Sequence, residues 1–318
     1  MKIFGIIVLV VLLATSVTWA QAAGNQGKPS QSGSQAPAGQ PAAGAQAPAT
    51  GTQQAPATPA GPHQPQAKTQ DEFKAYQDAV NIPDPAAMEK AADDFATKFP
   101  QSELKPILYQ RLMSLYQNSN NSEKTVEIAH KVLQTDPNNA AALVTVAQVL
   151  ANRTRETDLD KDERWDEATK DANRALQLVD SGEGIPAGTP PDRVPMFKNL
   201  VKSMAYASLG SIEFNKKNFP EAEKNLRQSV EVPGIQQDPV SWLQLSLSLD
   251  RQNKYPEALD AANKCVQVAQ GHPAGTYCQQ EQSRLQKLTA PGGSAAPGAA
   301  KPATPPPTSP QPSTSQPK

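Results

Sequence analysis

The segment "YASLGSIEFNKKNFPEAEKNLRQSV" at 206–230 is followed 36 residues later by "WLQLSLSLDRQNKYPEALDAANKCV" at 242–266. The two segments align without a gap, and both contain the phrase aromatic-Pro-Glu-Ala. Self-similarity at a fixed period of this length is typical of repeat architectures. The sequence therefore predicts that one structural unit occurs at least twice in the chain.

Each copy has the pattern of a helical hairpin. Apolar residues recur at i, i+3 and i+4, a short polar break follows, and Pro and Glu then open a second helix. We expect Gly210 to face Ala222, and Ser246 to face Ala258, because small side chains let two antiparallel helices approach closely. A single hairpin would leave one apolar face open, so the hairpins are expected to stack.

These positions resemble the tetratricopeptide repeat family, and the resemblance is strongest in the last two copies. The matching residues are Tyr206, Leu209, Gly210, Ala222 and Leu226 in one copy, and Trp242, Leu245, Leu249, Ala258 and Ala262 in the next. Weaker copies lie at 71–100, at 109–139 and at 142–180, the last interrupted by a polar insertion at 154–163. The resemblance implies an all-α fold, a right-handed superhelical stack of helical hairpins.

The chain divides into four predicted parts. Residues 1–22 read as a signal peptide, 23–68 as a disordered linker rich in Gln, Ala and Pro, 69–288 as the helical repeat domain, and 289–318 as a disordered Pro-rich tail. Within the domain, the expected hairpins lie at about 70–100, 106–139, 140–180, 196–233 and 239–270, with a capping helix at 275–288.

The amino-terminal segment predicts export. Lys2 precedes the apolar run "IFGIIVLVVLLA" at 3–14, and "AQA" at 20–22 offers small residues for cleavage. We therefore expect a periplasmic or secreted protein. The alternative is an uncleaved segment, residues 3–22, that anchors the chain in the inner membrane, and only then would a membrane be a partner.

Composition argues against several functions. All 31 acidic residues lie between Asp71 and Glu281, which is unlike the clustered basic charge of a nucleic-acid surface. The three histidines, His63, His130 and His272, have no partner at metal-ligand or catalytic spacing. The alternating aspartates of 154–163 suggest a calcium loop, but the glycine and the closing glutamate are missing, which favours a solvated turn. We therefore predict a protein without enzymatic activity, cofactor or metal.

The resemblance also bears on the two cysteines. In tetratricopeptide-like stacking the capping helix packs against the preceding hairpin, so that Cys265 and Cys278 could meet, and export permits a disulfide. We predict this bridge. The alternative is a pair of buried free thiols.

In the family, inward-facing positions on the first helix of each hairpin bind peptide segments. Carried over by register, these positions are Gln110, Ser114, Asn118, Val144, Gln148, Asn152, Ala207, Ser211, Phe214, Leu243, Leu247 and Arg251. They include no Lys and one Arg, so an uncharged or weakly apolar segment is the expected ligand. The alternative is that Phe214, Leu243 and Leu247 are core side chains.

The resemblance thus implies a protein–protein interaction scaffold in the cell envelope, which binds a peptide or protein partner in the concave groove of the stack. The alternative is an accessory subunit of an envelope enzyme or of a secretion complex. Binding of a stable partner would favour the scaffold, and activity of the purified chain alone would favour the alternative.

Overall fold

The computed structural model describes residues 65–290, which form eleven α-helices and no β-strand. The helices are α1 (Gln70–Val80), α2 (Pro85–Lys98), α3 (Lys105–Asn118), α4 (Ser122–Thr135), α5 (Ala140–Arg153), α6 (Lys161–Ser181), α7 (Val194–Asn215), α8 (Phe219–Val230), α9 (Pro239–Arg251), α10 (Tyr255–Val268) and α11 (Gly275–Thr289). The fold class is therefore all-α. The predicted signal peptide, the linker up to residue 64 and the predicted tail from residue 291 lie outside the described residues.

Two helices begin at an aspartate cap followed by proline. Asp84 Oδ1 accepts a hydrogen bond from the backbone N–H of Ala87 at 2.8 Å, and Pro85 opens α2. Asp238 caps α9 in the same way, and Pro239 follows it. Proline suits this position because the first N–H groups of a helix have no partner within the helix. The sequence thus marks the starts of these helices locally.

Three of the hairpins share one turn. Asn120, Lys217 and Asn253 occupy the same place in the α3–α4, α7–α8 and α9–α10 connections, and their φ angles are 55°, 61° and 60°. In each turn, the N–H of the following residue donates to a carbonyl five residues earlier, for example Lys254 N to Leu249 O at 3.0 Å. The fold is therefore repeat-like in its local geometry as well as in its sequence.

Packing follows the order of the chain. Each helix from α1 to α10 packs against the next, and additional contacts join α1 to α3, α5 to α7, α7 to α9 and α9 to α11. These additional contacts all connect first helices of hairpins, with α11 in the position of a further first helix. The first helices therefore lie side by side, and the second helices pack against them.

The core is built from small and large apolar side chains in alternation along the hairpins. Its largest cluster extends from Tyr76 in α1 to Ile212 in α7, and two smaller clusters lie among α8–α11. Met88, Leu112 and Ile128 are fully buried in the large cluster. Burial of side chains of this size contributes roughly 1.5–3 kcal/mol each, before the entropy of ordering the chain is subtracted.

One of the two predicted helix crossings is confirmed. Ser246 does face Ala258, because its hydroxyl donates to the Ala258 carbonyl at 2.8 Å. At the other crossing, the atoms nearest to Gly210 belong to Leu226. A Cβ atom on Gly210 would lie 2.6 Å from Cγ of Leu226, one turn further along α8, so the missing side chain makes room for that leucine.

The amino-terminal boundary of the helical body also differs from the sequence assignment. Residues 65–68, which the sequence places in the linker, are attached to the first two hairpins. The Lys68 ammonium donates to the carbonyl of Gln101 at 3.0 Å, and the backbone N–H of Lys68 donates to Glu72 at 2.7 Å. Within residues 65–290, no helix has both the length and the apolar character that crossing a membrane requires.

Candidate functional site

The first helices α3, α5, α7 and α9 are tied to one another by polar side chains. Three hydrogen bonds connect neighbours in this row: Gln117 Nε2 to Thr145 Oγ1 at 3.4 Å, Asn215 Nδ2 to the Ala151 carbonyl at 3.3 Å, and Ser211 Oγ to Gln244 Oε1 at 2.7 Å. Side chains from four helices therefore contribute to one surface, which we call the first-helix face. Sequence reasoning missed these links because each joins positions whose spacing depends on how adjacent hairpins dock.

The structure places the twelve predicted groove residues at three depths. Asn118, Asn152 and Arg251 are exposed, Gln110, Gln148, Ala207, Phe214 and Leu247 are half-buried, and Ser114, Val144, Ser211 and Leu243 are buried. The exposed and half-buried residues can contact a ligand without rearrangement.

Two of the predicted residues belong to the core. Val144 is 1% exposed and Leu243 is 3% exposed, so neither lines an open surface. The neighbouring helices cover both side chains. For Leu243, the alternative that it is a core side chain is the correct one. Ser114 is also withdrawn from the surface, since its hydroxyl donates to the Gln110 carbonyl in its own helix at 3.0 Å.

Phe214 forms an aromatic corner with Phe219 and Arg251. The centroids of the two rings lie 5.9 Å apart in an edge-on arrangement, and the guanidinium carbon of Arg251 lies 5.9 Å from the centroid of Phe219. A cation above an aromatic face is stabilised by about 0.5–1 kcal/mol at exposed sites. Phe219 is the aromatic residue of the aromatic-Pro-Glu-Ala phrase, so the repeat itself was the signal that could have identified it.

Leu247 lies in a different environment from Phe214. It packs with Leu243 and Tyr277 against the cluster that contains Cys265 and Cys278. Phe214 packs instead against the adjacent cluster of α8–α11. The predicted grouping of Phe214, Leu243 and Leu247 therefore splits into two patches.

A disulfide joins Cys265 of α10 to Cys278 of α11 in this structure. The two Cα atoms are 5.5 Å apart, which is within the usual range for a disulfide, and both side chains are fully buried. The bridge attaches α11 to α10 within the cluster against which Leu247 packs. It thereby fixes the two helices that support the carboxyl-terminal end of the first-helix face.

A buried charge network makes a second connection to α11. Arg284 Nη2 lies 2.5 Å from Asp250 Oδ1 and 2.9 Å from Glu281 Oε1, and the two acidic residues are 8% and 5% exposed. The carboxylate of Glu281, followed by that of Asp250, raises the pKa of Arg284 above its usual value. Asp250 belongs to α9, so this network holds α11 against a first helix.

Successive hairpins are also linked by carboxylates at their outer helices. Glu223 of α8 accepts hydrogen bonds from Lys254 at 2.6 Å and from Arg227 at 3.0 Å. Burial alone would raise the pKa of Glu223, but the hydrogen bonds from Lys254 and Arg227 outweigh it and lower the pKa. Glu89 of α2 binds Lys124 of α4 at 2.9 Å in a similar way.

The titratable side chains that the sequence analysis singled out in the described residues mostly contact near neighbours. Residues 65–290 contain no group of three or more His, Cys, Asp or Glu side chains that could hold a metal ion. His130 Nε2 lies 2.8 Å from Glu167 in a half-exposed pair, and His272 accepts from the backbone of Ala274. In the polar insertion at 154–163, the Asp160 carboxylate pairs with Arg164 at 2.8 Å.

Neither the scan against protein-family models nor the search of curated proteins finds a match to this chain.

Proposed function

We propose that the chain is a tetratricopeptide-like interaction scaffold, in which the hairpins stack as a right-handed superhelix and the first-helix face binds a segment of a partner protein. The observation that carries the proposal is the row of first helices α3, α5, α7 and α9, which side-chain hydrogen bonds join one to the next and which carry amide and apolar side chains together. The shared turn of three hairpins supports a repeated unit of this kind.

The chemistry of the face indicates the class of ligand. Amide side chains such as Gln110 and Gln148 offer both donors and acceptors, and the aromatic corner around Phe214 offers apolar area. An uncharged or weakly apolar segment, extended or helical, would fit this mixture. A partly exposed aromatic side chain beside an arginine is the composition in which binding energy is usually concentrated.

Site-specific photo-crosslinking in intact cells tests the proposal. A photoreactive residue replaces Gln148 or Ala207 on the first-helix face, and Gln228 on the exposed side of α8 serves as the matched control. We expect the same partner to be captured from both positions on the face and not from Gln228. Equal capture from all three positions, or none from the face, would contradict the proposal.

We also propose that the protein acts outside the cytoplasm, after cleavage behind "AQA" at 20–22. Amino-terminal sequencing of the protein recovered from its host should start at Ala23. A chain that retains residues 3–22 and sediments with membranes would instead support the anchored alternative.

A further inference from the structure

A groove lies between α8 and α10, away from the first-helix face. Trp242 and Leu245 of α9 form its floor, α10 forms one wall, and Arg227 of α8 lies on the opposite wall. Its volume is about 600 Å³, which is within the range of ordinary ligand pockets. The groove is therefore large enough to hold a short peptide segment.

A carboxylate of α8 links α8 to the start of α10 beside the groove. Glu223 of α8 accepts hydrogen bonds from Lys254 at 2.6 Å and from Gln252 at 2.9 Å, and these bonds bridge α8 to the start of α10. The same carboxylate holds Arg227 at 3.0 Å. The arginine on the groove wall is therefore already paired and is not the group that would select a ligand.

The wall formed by α10 carries two carboxylates and one lysine, Lys264. Glu257 and Asp260 both line the groove, and neither has an ion-pair partner within residues 65–290. On the floor, the indole N–H of Trp242 donates to Gln237 at 3.1 Å, and the side chain is only partly buried. The groove thus combines an aromatic floor with a wall on which two carboxylates outnumber one lysine, and this mixture suits a single basic residue followed by apolar, rigid residues.

The chain itself contains such a segment. "KPATPPPTSP" at 301–310 is a lysine followed by two Pro-x-x-Pro motifs. Proline-rich segments dock into aromatic-lined grooves because their backbone loses little entropy on binding and their rings pack on aromatic faces. The only basic residue of this segment, Lys301, complements the two carboxylates of the wall.

The position of α11 brings this segment within reach. Leu245 belongs to an apolar cluster against which Trp242 also packs. Leu288, in the last turn of α11, packs against the same cluster. The eleven residues 291–301 can span at most about 35–40 Å. That distance exceeds the length of α10, roughly 21 Å for its 14 residues, so the groove is accessible from the end of α11.

We propose that residues 301–310 bind in the α8–α10 groove of the same molecule, with proline rings on Trp242 and the Lys301 ammonium beside Glu257 and Asp260. This contact goes beyond the proposed scaffold function, because it uses a different surface and a ligand within the chain.

Fluorine NMR of the full chain, labelled with 5-fluorotryptophan, tests the proposal. The Trp242 resonance is assigned with Trp242→Phe, and Trp165, which is 3% exposed, serves as an internal reference. Replacing Pro302, Pro305, Pro307 and Pro310 together by Ala should move the Trp242 resonance and leave that of Trp165 in place. Lys301→Glu should move it in the same direction. Adding a synthetic peptide of residues 301–310 to the proline variant should return it towards the wild-type position.

The matched control replaces four prolines of the other Pro-rich segment, Pro37, Pro41, Pro48 and Pro56, by Ala, and this change should leave the Trp242 resonance unmoved. An identical Trp242 resonance in the wild type and in the 302–310 variant would overturn the proposal. A difference that disappears on hundredfold dilution would also overturn it, because the segment would then come from a second copy. Binding of the peptide in trans without any effect of the variant would assign the groove to a foreign proline-rich partner instead.

Discussion

The hairpins α7–α8 and α9–α10 have the same turn and align residue for residue, yet different side-chain contacts hold their two helices together. In α7–α8 the crossing holds Gly210 against Leu226, and a Cβ on the glycine would come within 2.6 Å of the leucine. In α9–α10 the aligned positions are Ser246 and Ala262, and the serine donates to the Ala258 carbonyl at 2.8 Å. A large residue on one helix is thus matched by the absence of a side chain on the other.

The same compensation occurs at the open end of the two hairpins. Ser203 and Ser229 exchange hydrogen bonds to each other's carbonyls, at 3.2 and 2.9 Å. The aligned residues in the next hairpin are Pro239 and Cys265. The Cys265 sulfur lies 3.2 Å from the Pro239 carbonyl oxygen, but it is bridged to α11 and has no hydrogen to donate. The repeat therefore conserves the position of its helices, while each copy uses its own contacts to hold them.

The largest expected effect follows from removing the leucine of the first crossing. Leu226 is fully buried, so Leu226→Ala should lower the free energy of unfolding by about 2–5 kcal/mol, because it removes apolar contacts and leaves a cavity. Urea unfolding followed by circular dichroism measures the change.

The double variant Leu226→Ala with Gly210→Ser recreates the pair found in α9–α10. It should be more stable than Leu226→Ala alone, with a coupling of at least about 0.5 kcal/mol. Strictly additive effects of the two substitutions would contradict the idea that the two positions compensate each other.

The second effect concerns the disulfide that joins hairpin α9–α10 to α11, which has no equivalent in hairpin α7–α8. Changing both Cys265 and Cys278 to Ser should lower the free energy of unfolding by roughly 2–3 kcal/mol, since the bridge closes a loop of 13 residues. Wild type with its disulfide reduced should unfold at nearly the same urea concentration as the variant. Thiol titration of the denatured, unreduced protein should find no free thiol, and two free thiols would show that the bridge is not formed.

The third effect tests the carboxylate that joins the two hairpins. The pKa of Glu223 is lowered in the folded protein, so its contribution to stability is present above the unfolded pKa and is lost as the pH falls through the folded value. Glu223→Gln should lower Tm by about 2–4 °C at pH 7. The difference from wild type should shrink as the pH falls below the ordinary glutamate pKa of about 4.3, and it should vanish only below the lowered folded value.

The matched control for that substitution is Glu221→Gln, two residues away. Glu221 is exposed and pairs only with Lys224 in its own helix at 3.0 Å, so the change should leave Tm within about 1 °C of wild type. If Glu221→Gln lowered Tm as much as Glu223→Gln, negative charge anywhere in α8, rather than the link from Glu223 to Lys254, would account for the stability.

The smallest effect concerns the shared turn. Lys217 has a φ angle of 61°, and the equivalent residues of the other two turns, Asn120 and Asn253, have similar angles. Asparagine tolerates this left-handed conformation better than lysine does. Lys217→Asn should raise the free energy of unfolding by a few tenths of a kcal/mol, part of which is offset by loss of the exposed pair with Glu156. The reverse change, Asn253→Lys, should lower it by a similar amount, and a gain in stability from Asn253→Lys would contradict the explanation.

The sequence predicted what depends on local pattern. The all-α class and the contact of Ser246 with Ala258 follow from helical periodicity and small residues. It did not predict that Gly210 faces Leu226, because Ala222 and Leu226 lie on the same side of α8 and the choice between them depends on the helix crossing. The burial of Val144 was missed, and that of Leu243 was foreseen only as an alternative, since their cover comes from neighbouring helices whose distance no local pattern encodes.

The binding affinity of the partner captured by crosslinking tests the scaffold proposal most directly. Phe214→Ala removes one ring of the aromatic corner on the first-helix face. Tyr255→Ala, the control, removes a half-buried aromatic side chain at the first residue of α10. Measured on the full chain, Phe214→Ala should raise the Kd at least about tenfold, or 1.4 kcal/mol, and Tyr255→Ala should change it little. The Kd should also change little between low and high salt, because the face carries few charges. Equal affinities of the two variants, or a steep loss of affinity with salt, would contradict the proposed use of this face.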